Sequence, residues 1–208
     1  DELPLLSLLQ DEPLRVQSSH LSFQDYFAAV AICTKGTVLA GAPPWQWAPW
    51  WANTVQLGSE MGDVFGRGLA QAAGVTGDEL DIRGGLGGHR PTALRAIAML
   101  AAGLNSLDLR YNHLEDEEGE ELAKSLASNT SLTSLNLEYN RLGAKAGKAL
   151  TEMLEQNKTL KYLNLGANQL DEATKRLLRE MVKGRLVRSS PGTRGWAAVQ
   201  SSTFKLVV

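Results

Sequence analysis

The chain has 208 residues, with 21 Lys and Arg against 23 Asp and Glu, a formal net charge of −2. So balanced a charge gives no field that would draw in nucleic acid or an anionic membrane, so neither is expected as a partner. The single cysteine, Cys33, cannot form an internal disulfide, which points to a reducing, cytoplasmic setting.

The first residue is Asp1, and the expectation is a fragment of a longer protein. No basic segment followed by an apolar run marks a signal peptide. The most apolar stretch, residues 26–42, is broken by Lys35 and Gly36 and falls short of the roughly 20 residues a membrane span needs. SSHLSFQDYFAAVAIC (Ser18 to Cys33) reads as a capped helix. Ser22 is the candidate cap, with Asp25 three residues later, and Gly36 is the stop. Phe23, Phe27, Val30 and Thr34, with Tyr26 and Cys33 beside them, form the face expected to be buried.

HLSFQDYFAA also resembles the segment H-L-S-F-Q-E-Y-F-A-A of NACHT-type nucleotide-switch proteins, with Asp25 in place of the usual Glu. There it joins the winged helix to the next helical domain. In receptors of that family a leucine-rich-repeat array follows. The resemblance implies that residues 1–36 close the NACHT-associated region, with Leu3 to Ser19 as the end of the winged helix. It also implies a nucleotide contact for His20. The chain has no G-x-x-x-x-G-K-[ST], so bound ATP or ADP would require a NACHT domain upstream. Within this chain His20 reads as an inert or hydrogen-bonded side chain.

Residues 37–76 hold PPWQWAPWW, with four of the five tryptophans. After Pro49, the residues Trp50, Thr54, Leu57, Met61, Phe65, Leu69 and Ala72 fall at spacings of three and four. They predict one amphipathic helix of about 20 residues. Gly58, Gly62 and Gly66 line a neighbouring stripe, where another element could approach closely. A repeat array needs its first edge covered, and this segment stands where such a cap belongs. A sugar-stacking platform or a membrane-surface anchor is the alternative. The absence of Lys and Arg from Thr37 to Gly66 counts against the anchor.

Three segments then align without gaps, LNSLDLRYNHL from Leu104, LTSLNLEYNRL from Leu132 and LKYLNLGANQL from Leu160. Each reads L-x-x-L-x-L-x-x-N-x-L. The columns Leu122/Leu150/Leu178 and Leu126/Leu154/Val182 keep the same register, as do Gly119 and Gly147. A degenerate copy, GDELDIRGG, precedes them, with Leu80 and Ile82 in the leucine positions and residues 90–103 as its helix.

In L-x-L both leucines face inward. Leucines four apart share a helix face. Each repeat is therefore strand, loop and helix, and only stacking buries its apolar stripe. Asn112, Asn140 and Asn168 stand where each strand turns away, able to supply both donor and acceptor to the backbone. The pattern resembles leucine-rich repeats of the ribonuclease-inhibitor class. The fold expected is α/β, a solenoid of 28-residue repeats over residues 77–183 preceded by an α-helical capping segment.

EDEEGEE (Glu115 to Glu121) reads as a solvated helix start, favoured by the helix dipole. Residues 184–208 lack the repeat pattern and read as a poorly ordered basic tail. No G-x-S-x-G, H-E-x-x-H or paired Cys/His metal spacing occurs, so neither an enzyme, a cofactor nor a metal is expected.

Function is then expected on the concave sheet, beside the inward leucines. The candidate partner-binding residues are Ser106, Ser134 and Tyr162, then Asp108, Asn136 and Asn164, then Arg110 and Glu138, bordered by Tyr111 and Tyr139. The reading is a protein–protein interaction module, the ligand-sensing or scaffolding repeats of an NLR-like receptor. The alternative is a regulator of a small GTPase of the Ran type, whose activating proteins share this repeat class.

Overall fold

The computed structural model describes residues 6–10, 15–18, 21–34, 38–188 and 205–208. It opens with an antiparallel pair, β1 (Leu6–Gln10) and β2 (Arg15–Ser18), followed by helix α1 (Leu21–Cys33). Two short helices follow, α2 (Ala52–Glu60) and α3 (Asp63–Ala72). Strand and helix then alternate: β3 (Glu79–Asp81), α4 (Arg90–Leu100), β4 (Ser106–Asp108), α5 (Asp116–Leu126), β5 (Ser134–Asn136), α6 (Ala144–Gln156), β6 (Tyr162–Asn164) and α7 (Glu172–Arg188). A last strand, β7 (Lys205–Val207), ends the chain.

The sheet is parallel, in the order β3-β4-β5-β6-β7. Leu80, Leu107, Leu135, Leu163 and Leu206 pair in one row. The second leucines, Leu109, Leu137 and Leu165, are equally buried, as are Leu122, Leu150 and Leu178 on the helices. The repeats thus form a mixed α/β unit with one shared core.

The asparagine column ties neighbouring repeats together. Asn140 donates through Nδ2 to the carbonyls of Leu109 and Leu137, at 3.0 and 2.9 Å. Its Oδ1 accepts from the backbone N–H of Asn112 and of Leu114. Asn112 and Asn168 repeat this against Ile82 and Leu137, in the previous repeat in each case. A second column lies at the other end of the strands. Asn157 donates to the carbonyls of Leu126 and Asn129, and Asn129 donates to that of Ala101. Every one of these bonds replaces water at a backbone group that a turning chain would otherwise leave unpaired.

The helices pack closely because glycine lets them. A Cβ on Gly119 would stand 2.6 Å from the Ala146 Cβ and 2.8 Å from Leu142 Cδ2. A Cβ on Gly147 would collide with Thr174 in the same way. The acidic run is more than a solvated helix start. Glu115 and Glu118 form a capping box on α5, and Asp116 caps the next helix, accepting from the N–H groups of Gly143 and Ala146. Glu121 bonds Arg95 at 3.1 Å.

Four expectations need correction. Helix α1 starts at Leu21, so Ser22 lies inside it, and it turns the opposite face inward. Ala29, Ile32 and part of Cys33 are buried, whereas Tyr26, Phe27 and Val30 are exposed. The reason is the close approach of α3, where a Cβ on Gly68 would collide with the Ile32 carbonyl oxygen. The absence of a side chain on Gly68 permits that contact. The single long helix after Pro49 is two helices, because Gly62 takes φ +66 and breaks it. Gly58 and Gly66 do face close neighbours, the Phe65 ring and the Met99 carbonyl. The expected disordered tail includes the end of α7 and strand β7. There Leu206 continues the leucine row and the Leu165 N–H donates to the Val207 carbonyl at 2.7 Å. His20 lies outside the described residues.

The tryptophan loop packs on the turn of the first repeat. The Gly87 and His89 N–H groups donate to the carbonyls of Trp45 and Trp47, at 3.1 and 2.8 Å. Trp47 is 2% exposed, stacks on Trp51 at 4.4 Å and donates its indole N–H to the Ala42 carbonyl. Trp50 is 75% exposed and belongs to none of this. Urea denaturation should separate the two. Trp47→Ala is expected to cost about 3–5 kcal/mol and Trp50→Ala less than about 0.5. Equal losses would contradict this packing.

Candidate interaction face

The inward leucines fix which side chains face out. Between them stand Asp81, Asp108, Asn136 and Asn164, one per strand and in register. All four do the same local job. Each side-chain Oδ1 accepts the backbone N–H two residues on, from Arg83, Arg110, Glu138 and Gly166 respectively, at 3.0–3.2 Å. Asx turns of this kind are built by Asp and Asn and end each strand at the same place.

The next column carries the charge. Arg110 grips Asp108 with Nε at 3.0 Å and Nη2 at 2.7 Å, and its Nη1 stands 4.0 Å from Glu138. Arg83 grips Asp81 in the same way and reaches 4.0 Å from Asp108. The result is an alternating band, Asp81, Arg83, Asp108, Arg110, Glu138. Hydrogen bonding to Asp108 raises the Arg110 guanidinium above its ordinary value. The Arg83 guanidinium likewise holds the Asp81 carboxyl below its ordinary value of 3.8. Towards β6 the band fades into Asn136, Gly166 and Tyr162, and Lys205 of β7 lies 5.8 Å above the Tyr162 ring.

Beside the band, Tyr111 and Tyr139 stack face to face, ring centroids 4.6 Å apart and planes 9° from parallel. They are 50% and 48% exposed. Both have positive φ, 58° and 54°, as do Gly84 and Ala167 in the equivalent positions of the flanking repeats. The ladder fixes the column, since the N–H groups of Gly84, Tyr111 and Tyr139 donate to the carbonyls of Arg110, Glu138 and Gly166. A tyrosine held there costs of order 1 kcal/mol or more, which glycine would avoid.

Of the residues read from sequence, Ser106, Ser134 and Tyr162 form one row, Asp108 and Asn136 a second, and Arg110 and Glu138 a third. Asn164 is buried, with its Oδ1 engaged by Gly166, and is a structural residue rather than a contact. Asp81 and Arg83 were missed, although L-D-I-R in the degenerate copy matches L-D-L-R in the next repeat. Among the described residues no group of three or more His, Cys, Asp or Glu could hold a metal ion. No described helix is long and apolar enough to cross a membrane.

Comparison with known proteins places the leucine-rich repeat family (Leucine Rich repeat) on residues 104–123 and 128–150. No curated protein matches the chain in sequence. Among solved structures the chain is similar to "Leiomodin-1 Actin-Binding Site 2 (ABS2)". The TM-score is 0.44 and the identity 15%, with 54% of this chain and 82% of that one covered.

The charge band makes a prediction about pH. Because the folded state depresses the Asp81 pKa, the pair contributes above 3.8 and its contribution is lost as pH falls through the depressed value. The pair is exposed, so the effect on global stability is small. The carbon-13 titration of the Asp81 carboxyl should have a midpoint below 3.8 that rises towards it in Arg83→Gln. An unmoved midpoint would contradict the pairing.

Proposed function

We propose that the chain is a protein-recognition module and binds its partner on the sheet face that carries Tyr111, Tyr139 and the Arg83–Glu138 charge band. The observation that supports this most is the stacked tyrosine pair. Two large aromatic rings stand half exposed in a backbone conformation that suits glycine. Nothing in the core needs them. Exposed aromatics beside arginine are the chemistry of interface hot spots.

The module reads as a leucine-rich-repeat solenoid of ribonuclease-inhibitor type, supported by the 28-residue spacing and by one helix per repeat. It further reads as the repeat region of an NLR-like receptor, working in the cytoplasm without catalysis. The H-L-S-F-Q-D-Y-F-A-A segment ahead of the repeats supports that reading. A nucleotide enters only through a NACHT domain upstream. No observation on this face favours the small-GTPase alternative.

Five strands at about 4.8 Å spacing give a face only some 20 Å wide, small beside the roughly 800 Å² per partner of a standard interface. Affinity then has to come from a few residues. Partners captured by the intact chain and identified by mass spectrometry should bind a variant with Arg110→Ala, Glu138→Ala and Tyr139→Ala at least about thirtyfold more weakly. The variant should still melt cooperatively. Undiminished binding by the folded variant would place the partner elsewhere.

A further inference from the structure

The tyrosine column is incomplete on the β6 side. Gly84, Tyr111, Tyr139 and Ala167 occupy successive rungs with the same left-handed backbone, but only the middle two carry rings. Tyr139 shares one ring face with Tyr111. The next rung holds the methyl group of Ala167, which is exposed, and among the described residues no ring continues the stack.

Beside this rung, in the column of Arg110 and Glu138, stands Gly166, where a Cβ would first meet Asn164 Oδ1, at 3.2 Å. A Cβ placed on Gly166 would lie 3.5 Å from Glu138 Cγ and 3.7 Å from Glu138 Oε1, so the carboxylate leans over this spot. Its cationic neighbour, Arg110, is already held by Asp108 through two nitrogens and comes no nearer than 4.0 Å to Glu138. Among the described residues Glu138 therefore has no cation closer than this. One aromatic face and one under-paired carboxylate border the same gap.

We infer that this gap is a binding slot for an arginine side chain of the partner protein, its guanidinium stacked on Tyr139 and paired with Glu138. A guanidinium is planar, so it can continue a stack whose rungs lie 4.6 Å apart. It is also a fork of N–H donors that matches a carboxylate. A lysine ammonium has the charge but not the plane, and an aromatic ring has the plane but not the charge. Asp81 and Asp108 are held by Arg83 and Arg110, and Lys205 stands on β7 over Tyr162, so Glu138 is the carboxylate that would draw a cation into the slot. This inference rests on the reading of this face as a protein-binding surface and adds which side chain it selects.

The probe is the peptide acetyl-Gly-Gly-Arg-Gly-Gly-amide, compared with peptides carrying Lys, citrulline or Phe in the central position. Binding is followed on the intact chain by the amide shifts of Glu138, Tyr139, Gly166 and Ala167. The arginine peptide should shift these amides saturably, with citrulline and Phe at least about tenfold weaker and Lys about threefold weaker. Glu138→Gln and Tyr139→Ala should each weaken the arginine peptide by about tenfold or more, while Lys148→Ala on helix α6 leaves it unchanged. Equal binding of citrulline or Phe, shifts at other residues only, or no saturable shift would overturn the slot. The two readings fail separately. If the partner is lost from the triple variant but arginine is not preferred, the slot falls and the interaction face stands. If arginine binds as described while the partner ignores the triple variant, the face falls as the partner site.

Discussion

The repeats depend on hydrogen bonds made by buried asparagine side chains. Each strand is three residues long, too short for its own ladder to align it. After the strand the chain must turn outward, leaving backbone groups that face the core instead of another strand. Asn112, Asn140 and Asn168 meet that need with one amide each, donating to carbonyls of their own and the previous repeat and accepting from backbone N–H groups. An apolar residue of the same size would leave several buried backbone groups without partners, at about 1–3 kcal/mol each. Leucine burial drives the stack together, but it is non-directional. The asparagines set its register.

That register makes a surface out of residues 28 apart. Because Leu107, Leu135 and Leu163 pair across the sheet, Arg110 comes within reach of Glu138, and Tyr111 lies flat on Tyr139. A slip of one residue would turn these side chains into the core. The Asx turns of Asp81, Asp108, Asn136 and Asn164 add a second constraint, since each ends its strand at the same point and delivers the following residue to the same column. Part of the polar face is therefore structural, and the tyrosines with their charged neighbours are what is free to recognise.

The legible part of the sequence was the part governed by strict period. Leu107 and Leu109 announce a strand, Leu122 and Leu126 a helix, and their recurrence gives the core. The face followed by elimination, which is why Arg110, Glu138 and both tyrosines could be named. What was not legible depends on partners distant in sequence. Helix α1 buries Ala29 and Ile32 rather than Phe27 because of Gly68 on another helix, which an apolar count on α1 cannot show. Asp116 looked like one more solvated acid, yet it caps the helix of the following repeat. Strand β7 lacks the repeat signature. It is a strand because β6 offers an unpaired edge and Leu206 fits the row beside Leu163.

The central claim is that Asn140 holds two repeats in register through its side chain, and native-state amide hydrogen exchange on Asn140→Ala tests it most directly. The amides of Asn112 and Leu114 in the neighbouring repeat should lose protection by tenfold or more, about 1.4 kcal/mol or above, together with those of β4 and β5. Protection lost only at residues 139–141, with Asn112 and Leu114 exchanging as before, would contradict it.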